Sequence, residues 1–237
     1  MGHCNEYAAH ALNIAACLHL AHTERYADAE SLFLKIYRIR LRTGLFPAAA
    51  RSLNQAVYCL ALQGQMHAVM TKLVWLGQLY YSELRDHRKA QSTFEKAAVL
   101  SEEQKQPRLA EMLWVLIAEI AASYSKDYEK AAICFERAAR QNMQSLPIHR
   151  HPRANMFKAG LCHLLDRGHG SWRLRLLLDL GFFEIDSTFP GGLEWNILQS
   201  IFEALQKRDR GTVDPIVAEC KQLSEVDCFA AALLEQI

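Results

Sequence analysis

The side chains in this sequence that could bind a metal ion are few and scattered. His149, His151 and His163 are the strongest candidates, because a neutral imidazole is a common zinc ligand. Residues two positions apart point to different sides of a helix, however, so His149 and His151 would not converge on one ion. No cysteine or carboxylate lies at a usual ligand spacing from them. A metal site is therefore not favoured.

Catalytic motifs are also missing from the sequence. The seven cysteines are an odd number, are spread along the chain and never form a C-x-x-C pair, so we expect reduced thiols in a helical core. There is no GxSxG, phosphate-loop or GxGxxG pattern. The four tryptophans fall in helical patterns typical of packing. The sequence predicts neither an enzyme nor a bound cofactor.

A repeat is the strongest signal in the chain. Residues 89–98 (KAQSTFEKAA) and 130–139 (KAAICFERAA) are nearly superimposable and lie 41 residues apart. The same step backwards gives Ala49, Leu53 and Ala56, and then Ala8, Leu12 and Ala15. Residues spaced in this way share one helix face, on which small alanines let a neighbouring helix approach and one large side chain fills the gap. The pattern indicates a helical repeat protein, a class that usually binds partners.

The repeat predicts an all-α fold. Residues 76–80 (LGQLY), followed by Ala90 and Phe94, match the helix A and helix B pattern of a tetratricopeptide repeat, whose usual length is ~34 residues. We expect a tetratricopeptide-like right-handed superhelix of antiparallel helix pairs over residues 1–168, and a C-terminal helical bundle cap over residues 169–237. Helices are predicted near 5–21, 25–42, 47–63, 66–84, 86–101, 107–125, 127–142, 152–167, 171–181, 193–208, 213–223 and 226–236.

Composition narrows the class of partner. The formal charge is +1, which argues against a protein that binds nucleic acid mainly by neutralising phosphates. No uncharged apolar run reaches the ~18 residues needed to span a bilayer. The N-terminus has no basic-then-apolar targeting signal and no myristoylation motif. We therefore expect a soluble intracellular protein.

Several local strings resemble one known family, the soluble NSF attachment proteins, or SNAPs. The most specific is residues 157–163 (FKAGLCH), which is similar to the family string F-K-A-A-L-C-H. Residues 127–131 (DYEKA) resemble a family Y-x-K-A repeat, and residues 188–190 (TFP) resemble a loop that contains a Phe. The likeness extends from about Gly64 to the C-terminus.

The resemblance implies an adaptor that performs no chemistry of its own. SNAPs hold the acidic four-helix SNARE bundle with basic side chains of a concave face, and their C-terminal end docks the AAA ATPase NSF, which pulls the bundle apart. The implied SNARE-binding residues are Lys72, Arg108, His149, Arg150, Arg153 and Lys158. The implied contacts at the ATPase end are Leu233, Leu234 and Glu235. The expected role is therefore in vesicle fusion and intracellular protein transport, in the cytoplasm and peripheral to membranes.

The sequence also departs from the family pattern. SNAPs have an extra N-terminal helical hairpin with a membrane-touching loop and an acidic C-terminal tail, and neither is recognised here. The family's basic positions after Pro107 align near Leu113 and Ile117, with Arg108 a turn away. We expect weak or indirect membrane association, and SNARE binding with poor support of disassembly.

A second hypothesis is a generic tetratricopeptide scaffold that binds a peptide segment of a partner protein. It predicts polar and basic residues repeated at one position of successive A helices. The A helices instead carry Val74, Gly77, Ala118 and Ala121, which favours the SNAP hypothesis.

Overall fold

A computed structural model describes residues 2–22, 25–144, 152–166, 175–207, 210–221 and 226–237. These residues form two compact units, Met1–Lys105 and Gln106–Ile237, which we call the N-terminal and the C-terminal unit. The N-terminal unit contains five helices: α1 (Gly2–His22), α2 (Tyr26–Arg42), α3 (Phe46–Leu62), α4 (Met66–Ser82) and α5 (His87–Glu103). Each of these helices packs against the next one along the chain.

The C-terminal unit begins with α6 (Pro107–Ile120), which continues through a π-helical turn (Ala121–Ser125), and with α7 (Tyr128–Gln144) and α8 (Arg153–Leu165). A second π-helical turn (Leu177–Gly181) leads into the short α9 (Phe182–Ile185). The last helices are α10 (Leu193–Gln206), α11 (Arg210–Cys220) and α12 (Cys228–Leu234). Helices α6 and α7 form a hairpin, α7 packs on α8, and α8 also contacts α10 and α12.

The predicted alanine-rich faces are the buried faces of their helices. In α5, Ala90 and Ala97 are fully buried and Phe94 lies between them with 1% exposure. In α7, Phe135 and the alanines at equivalent positions are likewise fully buried. The hairpin of α4 and α5 closes tightly, because a Cβ added at Gly77 would lie 2.6 Å from Cε1 of Phe94. The small residues therefore set how closely neighbouring helices pack.

The turns between helices repeat along with the helices. Gly44, Arg85 and Lys126 all have positive φ, between 52° and 72°, and follow one another at the 41-residue step. Gly64 and Lys105 form a second such pair at the same step. At two of these turns the next helix begins with an aspartate N-cap, because Asp86 accepts from Lys89 N and Asp127 accepts from Lys130 N, each at 3.0 Å.

The predicted all-α class and the packing of consecutive helices are confirmed, and every helix described through α8 lies within three residues of its predicted bounds apart from the π-helical end of α6. The short α9 was not predicted. The proposed division near residue 168 falls at residues 167–174, outside the described part of the chain, and it stays a prediction. Among the described residues, no helix is long and apolar enough to cross a membrane.

Truncating a large side chain on the buried face of α7 should destabilise the fold far more than truncating one on its outer face. Phe135 is fully buried, whereas Ile133 in the same helix is 44% exposed. We expect Phe135→Ala to lower the free energy of unfolding by about 3–5 kcal/mol, and Ile133→Ala by less than about 1 kcal/mol. Urea unfolding followed by circular dichroism measures both. Equal costs would show that the face assigned to the core of α7 is wrong.

Candidate partner-binding surfaces

Lys72 lies on α4 in the N-terminal unit, next to an exposed tryptophan. Its Nζ is 3.7 Å from the centroid of the Trp75 ring, and Trp75 is 46% exposed. Desolvation lowers the pKa of Lys72, Glu30 opposes this shift, and Arg38 adds to it. The cation–π contact fixes the ammonium group at the surface, where both Lys72 and Trp75 can meet a partner.

Arg108 is exposed in the first turn of α6, in the C-terminal unit. Leu113 and Ile117, near which the resemblance placed the family's basic positions, are buried in the same helix with 3% and 0% exposure. A charged side chain at either position would be buried without solvent, which is costly. The accessible basic charge described on α6 is therefore the one at its N-terminal end.

Arg153, the first residue of α8, holds a loop of its own chain. Its Nη2 donates to the carbonyl oxygen of Thr188 at 2.6 Å and to Thr188 Oγ1 at 3.1 Å. Asp186 Oδ1 in turn accepts from Thr188 N at 2.8 Å and from Thr188 Oγ1 at 2.7 Å. These bonds fix the loop that carries Phe189, which is fully buried. Two of the five N–H donors of Arg153 are thus used within the molecule.

Lys158 is buried in the FKAGLCH string, with a side-chain exposure of 8%. Its Nζ forms an ion pair with Asp227 and lies 5.7 Å from the ring centroids of both Phe135 and Phe229. Asp227 is also the N-cap of α12, because its Oδ1 accepts from Ala230 N at 2.8 Å. The pair therefore fastens the start of α12 to α8.

The C-terminal residues with predicted ATPase contacts divide into buried and exposed ones. Leu233 and Leu234 are 2% and 1% exposed and belong to the core. Glu235 is exposed, with its carboxylate 3.3 Å from Lys221 Nζ. Gln236 Oε1 accepts from Tyr128 Oη and from Lys126 Nζ, which ties the chain end to the start of α7. Glu235 is thus the accessible member of the predicted group.

A cavity of about 850 Å³ lies in the C-terminal unit beside Arg153 and Lys158. It is lined by residues of α6, α7, α8 and α10 and by the N-cap of α12: Glu111, Val115, Asn142, Arg153, Ala154, Asn155, Lys158, Leu193, Glu194 and Asp227. Asn142 Nδ2 donates to Glu111 Oε1 at 2.9 Å. Arg153 Nη1 lies 3.9 Å from Glu194 Oε2.

The structure brings together two of the predicted basic residues and separates others. Arg153 and Lys158 line the same cavity, whereas Lys72 and Arg108 belong to different units. His149 and Arg150, and also His151 of the metal hypothesis, lie outside the described residues. Sequence reasoning missed the acidic partners Asp186, Glu194 and Asp227. For Asp227 a signal existed, since an aspartate before an apolar helix is a typical N-cap.

The other side chains that could do chemistry, His163 and the cysteines, are mostly buried. His163 is 2% exposed, and its Nε2 lies 2.8 Å from Glu136 Oε1. The six cysteines with described side chains are free thiols, and four of them are buried. Burial raises the pKa of the Cys59 and Cys220 thiols to about 11. Thiols with a pKa this high are almost fully protonated at neutral pH, so they are poor nucleophiles.

Consecutive helical hairpins with buried alanine faces define a helical repeat protein. The sequence profile of the family described as "Soluble NSF attachment protein, SNAP" matches residues 1–237, and the chain therefore belongs to this family.

Relatives are found in fungi and in mammals. A "Vesicular-fusion protein SEC17" of Komagataella phaffii is 28% identical over 190 residues, which cover 80% of this chain and 63% of the relative. A "Probable vesicular-fusion protein sec17 homolog" of Schizosaccharomyces pombe is 25% identical over 91% of this chain and 73% of its own length. A "Beta-soluble NSF attachment protein" of Bos taurus is 23% identical over 80% of this chain. The match spans less than two thirds of the Komagataella and bovine proteins, at 63% and 62% of their lengths.

The Lys158–Asp227 pair should contribute measurably to stability, because Lys158 is buried and loses its counter-charge if Asp227 is neutralised. Asp227→Asn keeps an N-cap side chain and removes only the charge. We expect it to lower the free energy of unfolding by about 1–3 kcal/mol in the wild-type background, and by much less in a Lys158→Met background. Urea unfolding of the four proteins gives this coupling energy.

The exposed Lys221–Glu235 pair serves as a control, and Glu235→Gln should cost less than about 1 kcal/mol. If Asp227→Asn costs the same with and without Lys158, the ion pair does not hold α12.

Glu119, on α6, should make stability depend on pH. Burial raises the pKa of its carboxyl above the ordinary value of 4.5; Lys158 opposes this shift and Asp227 adds to it. Burial favours the protonated form of Glu119 in the folded state. The resulting contribution to folding stability is present below pH 4.5 and is lost as the pH rises through the raised pKa. Glu119→Gln should therefore raise the melting temperature at pH 7, with a gain that shrinks as the pH falls towards 4.5. A gain for Glu119→Gln that is constant with pH would refute the assignment.

Proposed function

We propose that this protein is an adaptor that binds SNARE four-helix complexes and recruits an NSF-type AAA ATPase for their disassembly in vesicle fusion and intracellular protein transport. The observation that carries the proposal is the family match over residues 1–237. The names of the relatives, a vesicular-fusion protein and an NSF attachment protein, support the same role. The adaptor acts in the cytoplasm, peripheral to membranes, through its contacts with proteins rather than through catalysis.

The accessible basic residues are the first candidates for the SNARE contact. Arg108 is exposed at the N-terminal end of α6, and Lys72 is held beside exposed Trp75 on α4. Positive charge at these sites attracts an acidic coiled coil, and such attraction mainly raises the rate of association. His149 and Arg150 belong to the same proposal on the basis of the family resemblance alone.

Arg153 and Lys158 contribute to binding in an indirect way. Arg153 fixes the Thr188 loop and Lys158 fixes α12, so both position surfaces at the end of the C-terminal unit. Glu235 is the proposed charged contact for the ATPase, and buried Leu233 and Leu234 hold it in place from beneath.

Reversing an accessible basic charge should weaken SNARE binding. We expect Arg108→Glu and Lys72→Glu each to reduce the amount of protein retained on an immobilised, soluble SNARE four-helix bundle. Raising the ionic strength from about 0.1 M to about 1 M should reduce retention of the wild type too, because the Debye length falls from about 10 Å to about 3 Å. Lys96→Glu, at an exposed position of α5, is the matched control and should bind normally.

The same immobilised complex tests the second half of the proposal when the ATPase is added. Retention of the ATPase should require the adaptor and should fall in Glu235→Lys without loss of the adaptor itself. Failure of the wild type to bind the bundle at any salt concentration would contradict the adaptor function. Normal binding by both reversed variants would move the contact to another surface.

A further inference from the structure

The outward face of α1 is an exposed apolar surface. Tyr7, Ile14 and Leu18 are 76%, 51% and 53% exposed, and Ala11 between them is exposed too. We call these four residues the α1 seam. Their spacing of four, three and four residues is the a/d pattern with which one helix packs along another. A helix with apolar residues on all sides is normally buried, yet nothing in the described part of the chain covers this face.

The repeat shows what covers this face in the other helices of the unit. Three exposed positions of α1 correspond at the 41-residue step to buried positions of α3: Ala8 to Ala49, Ala11 to Ser52 and Leu18 to Cys59. In α3 this face packs against the other helix of its hairpin, since Ser52 Oγ accepts from Arg40 Nη1 on α2 at 2.9 Å. In α5 the same face holds Phe94 against Gly77 of α4. The surface exposed on α1 is thus one that a helix covers elsewhere in the unit.

The charge of the face narrows the class of partner. Of Asp, Glu, Lys and Arg, α1 contains only Glu6, whose carboxylate lies 3.6 Å from Arg40 Nη2 within the unit. An acidic or basic partner would therefore find no counter-charge on the α1 seam. A second copy of the chain is favoured instead, because a two-fold axis brings like residues close together and an uncharged face avoids the repulsion that charges would cause there.

The α1 seam is also complementary to itself. Antiparallel pairing of two copies places Tyr7 opposite Leu18 of the second copy and Ala11 opposite Ile14 of the second copy. At the centre a small side chain then meets a large one, which lets the two helices interlock without a void. Parallel pairing would place Ala11 on Ala11 and leave a gap. The spacing of the residues therefore favours an antiparallel pair.

We propose that two copies of this chain associate through α1, as an antiparallel helix pair across a two-fold axis with the α1 seam at its centre. One helix from each copy makes a small interface, and small interfaces are weak, so the dimer should dissociate on dilution. A dimer presents every partner-binding surface twice, which raises the avidity for a partner that can reach both copies. The proposal stands on the N-terminal unit alone and does not depend on the adaptor function.

Sedimentation equilibrium of the full chain under reducing conditions, from about 1 µM to about 200 µM, tests the association by mass action. We expect the weight-average mass to rise from that of one chain towards that of two. Ile14→Glu should raise the Kd at least about tenfold, because it places a carboxylate in an apolar contact. Val99→Glu, at a 40% exposed position of α5, is the matched control and should leave the Kd unchanged. Circular dichroism checks folding, and Leu18→Glu decides the question if Ile14→Glu does not fold.

Crosslinking tests the direction of the two helices. Tyr7→Cys and Leu18→Cys are made separately in a Cys4→Ser, Cys17→Ser and Cys228→Ser background. A mixture of the two proteins should form a covalent dimer on mild oxidation, because antiparallel pairing brings the two new thiols opposite each other. Either protein alone should stay a single chain on a non-reducing gel, since the same residue in the two copies would lie about 16 Å apart along the helix axis.

The proposal is overturned if the chain keeps the mass of one copy up to about 200 µM. It is also overturned if Ile14→Glu and Leu18→Glu leave the association unchanged, or if Val99→Glu weakens it as much as they do. Crosslinking of either cysteine variant alone, as strong as that of the mixture, would overturn the antiparallel pairing. Neither assay contains SNARE proteins or ATPase, so a monomeric chain would leave the adaptor function standing, and a failure to bind SNARE proteins would leave the dimer standing.

Discussion

Close contact between alanine-rich helix faces is the constraint on which the hairpins of both units depend. A face with two fully buried alanines around one large residue leaves room for a neighbouring helix at short range, and the large residue fills the remaining space. Phe94 fills this space, and the position that faces it on α4, Gly77, has no room for a Cβ. Gly160 on α8 also has no free space beside it, because an added Cβ would collide with the side chain of Leu198. Each hairpin then presents its outer residues at a fixed spacing, which a repeat protein needs in order to build a binding surface.

The sequence could predict this part of the fold because the constraint is local and periodic. Buried alanine and phenylalanine positions recur in the helical period, so the helices and their buried faces follow from the pattern. The turns were harder to predict. Glycine marks positive φ at positions 44 and 64, but the equivalent backbone at Arg85, Lys105 and Lys126 carries long side chains that give no such signal. Those turns keep their conformation because the helices on either side are already fixed by packing. The short α9, whose four residues follow a π-helical turn, has too few periodic positions for recognition.

The site was only partly predictable for a different reason. Charge type can be read from the sequence, and the family resemblance then pointed to the basic residues near α8. Whether a basic residue faces a partner or its own chain depends on contacts between distant segments. Arg153 meets Thr188, 35 residues along the chain, and Lys158 meets the N-cap of α12. A resemblance between single helices cannot supply these pairings, because each helix looks the same whether its lysine is solvated or buried.

A basic residue that pairs with its own chain has a different physical role from a solvated one, and Lys158 is the clearest example. Lys158 carries a desolvation cost that a solvated lysine does not, and the structure offsets it with a carboxylate and two aromatic rings. Helix α12 has only seven residues and would be marginal without tertiary contacts, so the ion pair at its first turn matters more than a comparable pair on a long helix. The lysine of the FKAGLCH string therefore helps to set the position of α12 and of Glu235 beyond it.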